Sequence, residues 1–387
     1  MYLLGILLLV LAVGVGWFCG RQSQRHKNYR NQNILAKDYF VGLNYLLNEQ
    51  PDAAIDIFIR LLTVDSNTVE MHMTLGSLFR RRGETDRAIR IHQNIIARPN
   101  LSKELREQAL QALGRDYMAA GVFDRAERLF LEAVESGTTH REQSLHYLLD
   151  VYEREKDWFS ALEIAQKLQK QTNENKSQAI AYYYCEVIED PRHPLSVAQN
   201  HHYLELALQA DKYNIRAGLL KAKYFVQEQE YKSALKLYKQ LLKQQPSFFP
   251  EIVPLLENVY QQLNDAKGLL NYLYKYVGAE HGSQPLLTVS VAQQLQLLHG
   301  TQVALDFLTE QLQDYPSLPG IEYLVTLRSQ ILQGQERQQM IFLATTMRRL
   351  MVRKAQYLCE HCGFSGEKLH WLCPSCRRWG TIKPVPV

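Results

Sequence analysis

Catalytic signatures are missing from this 387-residue sequence. It holds no GxxxxGKS/T phosphate loop, no GxSxG nucleophile elbow, no HExxH helix and no dinucleotide fingerprint, and no paired carboxylates stand out. The chain is therefore read as a non-enzyme. Glycine (20) and proline (13) are sparse beside 22 tyrosines, which fits packed helices with aromatic contacts. A strong charge imbalance is absent too: the net charge of +4 is too small to demand nucleic acid as a partner. Six cysteines over this length fall short of a small disulfide scaffold. What remains is the composition of an ordinary folded protein, 46% hydrophobic and 22% charged, long enough for two or three globular domains.

The one long uncharged run is Tyr2 to Gly20, YLLGILLLVLAVGVGWFCG. As a helix it reaches about 28 Å, enough to cross a hydrocarbon core. A cleaved signal peptide carries basic residues before its apolar core and a small-residue cleavage site after it. Here Arg21, Arg25, Lys27 and Arg30 all follow the run, and Trp17, Phe18 and Cys19 stand where a cleavage site would be. The segment reads as a retained anchor. The basic flank stays cytoplasmic, so everything from Arg21 onward is expected on that side. Trp17 suits the interfacial belt, and Gly16 and Gly20 form the GxxxG spacing through which two anchors can pair into a homodimer.

Downstream, a 34-residue spacing recurs. Gly42, Gly76 and Gly114 each follow an apolar residue (Val41, Leu75, Leu113). Three positions on sits an aromatic (Tyr45, Phe79, Tyr117), twelve on an alanine (Ala54, Ala88, Ala126), and sixteen on Phe58, His92 or Phe130. The next unit keeps Tyr152 and Ala161 but has Leu149 in place of the glycine. Glycine and alanine mark close approach of paired helices, large residues fill the gaps beside them, and Gly83 and Gly121 fall at the turns. This pattern resembles the tetratricopeptide repeat. It is good over 35–175 and degraded over 177–214, where Pro191 and Pro194 interrupt it. It recovers over 215–248 with Phe225, Ala234, Tyr238 and Pro246, and is loose over 250–335, where Ala304 and Pro316 hold register. Eight or nine units are expected.

Stacked repeats leave a groove that binds extended peptides or partner helices. Most of the periodic tyrosine, alanine and leucine residues are then core. His201 and His202 are neighbours, which point apart on a helix and make poor joint ligands. His72, His92, His140 and His146 read as ordinary repeat positions, and Cys185, after Tyr182, Tyr183 and Tyr184, as a buried apolar residue.

The most specific signal is YLCEHCGFSGEKLHWLCPSCRRW from Tyr357, in which Cys359, Cys362, Cys373 and Cys376 form two C-x2-C pairs. Such pairs place four sulfurs around one tetrahedral cation. Gly363 permits the tight turn after the first pair, and Pro374 pre-sets the second. A cytoplasmic location argues against two disulfides. The pairs resemble rubredoxin knuckles, with Tyr357, Cys359, Cys362, Gly363 and Phe364 matching the first and Cys373, Pro374 and Cys376 the second. The loop between them is shorter than a rubredoxin's, and Arg377 stands where the last knuckle has glycine, so structural zinc is expected ahead of redox iron. His361 and His370 could serve as ligands, but four thiolates complete the shell. Phe364, Trp371 and Trp379 are expected to supply the module's core. Before the knuckles, Arg348, Arg349, Arg353 and Lys354 share a helix with Met340, Leu343, Met347, Leu350 and Met351. This amphipathic helix is expected to dock the metal module onto the repeats.

The expected fold class is all-α: a repeat solenoid with one N-terminal transmembrane helix and a small rubredoxin-like zinc knuckle domain. Its parts are an anchor over 1–20, a basic juxtamembrane linker over 21–34, repeats over 35–335, a connecting amphipathic helix over 336–356 and the metal-binding domain over 357–387. This order of parts resembles the lipopolysaccharide assembly protein B family over the full length. The resemblance implies an inner-membrane protein facing the cytoplasm. It also implies an adaptor that works with the membrane protease FtsH to control degradation of the LpxC deacetylase, alongside other lipopolysaccharide assembly proteins. Two other classes stay open: a platform for envelope-biogenesis enzymes with no part in proteolysis, and a redox protein using iron at the four cysteines.

Overall fold

A computed structural model describes residues 69–385 apart from 100, 136–139, 173, 278–284 and 353–355, together with isolated positions between 40 and 57. The expected anchor and basic linker, Phe58, Arg353 and Lys354 lie outside the described residues. Among the described residues no helix is long and apolar enough to cross a membrane. The chain divides into two compact units, residues 1–157 and 158–387.

In the first unit run α1 (Val69–Arg81), α2 (Thr85–Ile96), α3 (Lys103–Ala119), α4 (Phe123–Glu135) and α5 (Arg141–Glu155), each packed on the next. The repeat signature has a direct steric meaning here. A Cβ on Gly76 would lie 2.5 Å from the His92 ring, and one on Gly114 2.5 Å from Phe130. The residue sixteen positions on thus fills the space that each glycine leaves, and Ala88 and Ala126 are fully buried beside them. Gly83 and Gly121 take φ of +84° and +76° in the turns, where an L side chain would be strained.

His92 belongs to a buried charge cluster as well. Asp116 on α3 receives Arg80 Nη1 at 2.6 Å and pairs through its other oxygen with His92 Nδ1. Arg80 also donates to the Ala112 carbonyl at 3.3 Å. These contacts tie α1 and α2 to α3. Asp116→Asn removes the charge that offsets a buried guanidinium, and is expected to destabilise the first unit by about 2–3 kcal/mol. Urea unfolding followed by far-UV circular dichroism measures this, and a loss below about 0.5 kcal/mol would show that the cluster contributes only packing.

The second unit continues with α6 (Trp158–Thr172), α7 (Ser177–Glu189), α8 (Val197–Ala210), α9 (Ile215–Gln227), α10 (Tyr231–Gln244), a 3-10 turn (Pro246–Phe248), α11 (Phe249–Gln262), α12 (Ala266–Tyr274), α13 (Pro285–His299), α14 (Thr301–Asp314), α15 (Leu318–Ile331) and α16 (Gly334–Val352). Ser196, Asn214, Asp265 and Ser317 cap helices by accepting the N–H three residues on. Alternate helices also touch, α11 against α13 and α13 against α15, as stacked hairpins require. The stretch 177–214 forms a complete helical hairpin, because Pro191 and Pro194 fall in the loop between α7 and α8. One core runs from Ile215 to Leu327, built on Tyr238, Phe248, Leu256 and Leu308.

One expectation is corrected. The helix expected over 336–356 to dock the metal module is the second arm of the last hairpin. α16 packs on α15, with Arg348 paired to Glu322, and leaves Ile341, Phe342, Leu343 and Leu350 exposed. The stripe of Met340, Ala344, Met347 and Met351 is the side that is buried or half-buried, and α15 is the helix packed on α16. The module reaches the repeats by its own aromatic residues instead.

Candidate metal centre

The C-terminal module is a three-stranded antiparallel sheet in the order β2-β1-β3, with β1 (Tyr357–Cys359), β2 (Ser365–Gly366) and β3 (Ile382–Pro384). Tyr357 faces Gly366 on one side, and Cys359 faces Ile382 on the other. Each knuckle is a tight turn at the end of a strand or bridge. The Gly363 N–H donates to the Cys359 carbonyl at 3.0 Å, and the Arg377 N–H to the Cys373 carbonyl at 2.9 Å. Both turns need a left-handed residue: Gly363 has φ +75° and Arg377 φ +54°. The arginine thus keeps the knuckle geometry that glycine ordinarily supplies, against the Cβ crowding that disfavours this region.

The turns bring four sulfurs together. Cys359 Sγ lies 3.8 Å from Cys376 Sγ and Cys362 Sγ 3.7 Å from Cys373 Sγ, and all four sulfurs lie within 4.8 Å of one another. Four thiolates held about 2.3 Å from a tetrahedral cation stand about 3.8 Å apart, so a cage of this size suits Zn2+ or Fe2+. This is a four-cysteine, rubredoxin-like metal site. His361 and His370 are exposed and outside the sulfur cluster, and His370 lies edge-on to Phe364.

The local field is divided. The Thr381 hydroxyl, 3.3 Å from Cys359 Sγ, and the N–H groups of Cys362 and His361 bring the Cys359 thiol down to about 6, with burial opposing them. The Phe364 N–H lowers Cys362. Burial pushes Cys373 up to about 11, against the N–H groups of Cys376 and Ser375. A cation held by the four sulfurs would supply the positive charge that lets Cys373 ionise inside the fold. Cys185, by contrast, is a buried thiol raised to about 12 by desolvation and acts as an apolar core residue.

A second expectation is corrected here. Trp371 and Trp379 do not form the module's own core, which consists of Cys359, Cys373 and Ile382 with Tyr357, Phe364 and Leu369 beside them. So short a segment cannot enclose two indoles, and both pack against the repeats, Trp379 buried and Trp371 half-buried. Trp379 stacks on Tyr182 at 5.2 Å and meets Tyr183 and Trp158 edge-on at 5.6 and 6.0 Å. Trp371 stacks on Phe248 at 6.0 Å, with the Arg216 guanidinium 5.9 Å over its ring. Arg216 is itself buried and held by Glu186 and Glu189, each at 2.7 Å. Lys383 crosses the other way, 4.9 Å over Phe248, and the Tyr357 hydroxyl donates to Glu251. Sequence reading missed these partners, although one signal was present. The tyrosine run 182–184 and the flanking hairpin depart from the repeat consensus where the module docks.

Comparison with known proteins agrees with both parts. Residues 357–384 match the rubredoxin metal binding domain, and residues 73–104 match the tetratricopeptide repeat. A tetratricopeptide repeat protein from Parabacteroides merdae aligns at TM-score 0.34 and 14% identity, over 68% of this chain and 99% of that one. Lipopolysaccharide assembly protein B of Escherichia coli strain K12 is 34% identical over 380 residues, 98% of this chain and 97% of that protein. The Haemophilus influenzae protein of the same name is 33% identical over 98% of this chain and 97% of its own. With repeats and metal knuckle matched in order and at full length, this chain belongs to the lipopolysaccharide assembly protein B family.

Proposed function

We propose that this protein is an inner-membrane-tethered cytoplasmic adaptor, one that limits lipopolysaccharide synthesis by bringing the LpxC deacetylase to the protease FtsH. Cys359, Cys362, Cys373 and Cys376 are its metal ligands in this reading, and the metal is a structural zinc ion. The observation that carries the scaffold role is the seating of Trp371 and Trp379 on the helices of the second unit. It turns the metal module into a fixed part of the repeat surface. A rigid surface binds without losing further conformational entropy, which suits a scaffold. An N-terminal anchor would confine that surface to the plane in which a membrane protease works, raising effective concentration without a tight binary contact. The name of the full-length relatives supports the pathway, and its word "assembly" supports the platform reading equally.

Depleting the protein is expected to lengthen the deacetylase's half-life several-fold in a chase after translation arrest, with its messenger level unchanged. An unchanged half-life would leave the assembly-platform reading in its place. An iron-type visible spectrum after purification without added metal would move the metal assignment to iron.

A further inference from the structure

The helix that carries the docked module on one face has a second cavity on another. On α9, Arg216, Leu219 and Lys223 line the space beside Trp371, whereas Lys221 and Phe225 turn toward α8 and α10. There they help enclose a pocket of about 400 Å³, within the range of small-molecule sites. Its apolar lining includes Phe225, Leu237 and Leu241, and Lys212 and Lys236, both exposed, and the half-buried Lys221 stand on its wall.

The charge is one-sided. Among the described residues no acidic side chain lines the cavity, and none of the three lysines has a carboxylate partner. Lys221 is half-buried and lies 6.0 Å over the Phe225 ring, and Lys212 lies 5.8 Å over Tyr213. The acid next in sequence, Asp211, is committed to its own turn, where it accepts the Tyr213 N–H at 3.1 Å. Glu228, at the end of α9, is taken by His201 at 2.7 Å. Three like charges around an apolar hollow repel one another, and an anion brought among them relieves the repulsion. Lysine suits such a ligand as a set of movable point charges on apolar stems.

We propose that this pocket binds a small amphiphilic anion, a phosphate or carboxylate carried on an apolar body, with the head among Lys212, Lys221 and Lys236 and the body on Phe225, Leu237 and Leu241. The ligand needs no displacement of the metal module, which rests on the other face of α9, and its binding is independent of the adaptor role.

The test uses full-length protein in phosphatidylcholine nanodiscs, with empty nanodiscs as the blank and hexyl phosphate as the probe in titration calorimetry. Saturable binding is expected at one site, with inorganic phosphate and hexanol each at least tenfold weaker. Lys221→Met with Lys236→Met, which keeps the apolar stems, is expected to weaken hexyl phosphate at least tenfold. Lys221→Arg with Lys236→Arg is expected to restore it to within about threefold, a check that the loss is of charge and not of fold. The proposal is overturned if hexyl phosphate does not saturate, if the methionine pair binds it unchanged, or if the arginine pair fails to restore binding. Equal binding of inorganic phosphate would reduce the site to a plain anion patch, and equal binding of hexanol to an apolar crevice; either result also overturns it.

Discussion

Cys373→Ser is expected to empty the metal site and release the module from the repeats. Cys373 is fully buried, 3.7 Å from Cys362 Sγ, and sits in the knuckle whose turn Arg377 closes. The module has three short strands and a core of three fully buried residues, too little to hold itself together. In small zinc domains the metal supplies about 10–16 kcal/mol of apparent binding energy, which is also folding energy. Removing one of four ligands forfeits most of it. Metal analysis of purified protein is expected to fall from about one ion per chain to near zero. The emission of Trp371 and Trp379 is expected to shift to the red as they enter water, while far-UV circular dichroism keeps the helical signal of the repeats. Cys185→Ser is the control: that thiol lies outside the sulfur cluster, so the metal should stay. Full occupancy in the Cys373→Ser protein would exclude this cage as the metal site.

Trp379→Ala separates docking from metal binding. The side chain is 7% exposed and meets three aromatic rings within 6.0 Å. Truncating a buried tryptophan costs about 3–5 kcal/mol, and each well-placed aromatic pair adds about 0.5–1.5 kcal/mol to its area term. Because Trp379 is not a metal ligand, the ion should remain while the module loosens. Calorimetry should then resolve a transition for the module below that of the rest of the second unit, and amide exchange along β1 should accelerate without a matching change in α13 or α14. A single transition within 1 kcal/mol of the wild type would mean that Trp371, Arg216 and Tyr357 suffice to hold the module.

These two residues also mark where sequence reading works and where it stops. Periodicity exposed the hairpins of the first unit because their contacts are local and steric. Gly76 and Gly114 each answer to a residue sixteen positions on, and one repeat unit contains both. In later units the same left-handed turns persist without glycine, at Lys156, Gln229 and Asn264, so the geometry outlasts the residue that signals it. The four cysteines were legible because the spacing of two C-x2-C pairs follows from tetrahedral coordination. Docking was not. Trp379 on Tyr182 and Lys383 on Phe248 are long-range contacts with no periodic signature, and an aromatic residue beside a metal knuckle reads equally as core or as interface. Arg216 was hidden for a related reason: its two glutamates sit one hairpin back, at 186 and 189.

The long reach of these contacts also bears on how the chain is made. Tyr357 meets Glu251 across 106 positions, and Lys383 meets Gln245 across 138. Helical hairpins can fold as they leave the ribosome, each on the one before, whereas the aromatic seat on α7 must wait for Trp379. At about 5–20 residues per second, a separation on the order of 200 residues leaves Tyr182 and Tyr183 uncovered for roughly 10–40 s during synthesis. A chain that stops before residue 357 would carry that bare tyrosine surface permanently. Synthesis of residues 357–384, and capture of a metal ion by their four cysteines, is therefore the event that closes this face of the protein.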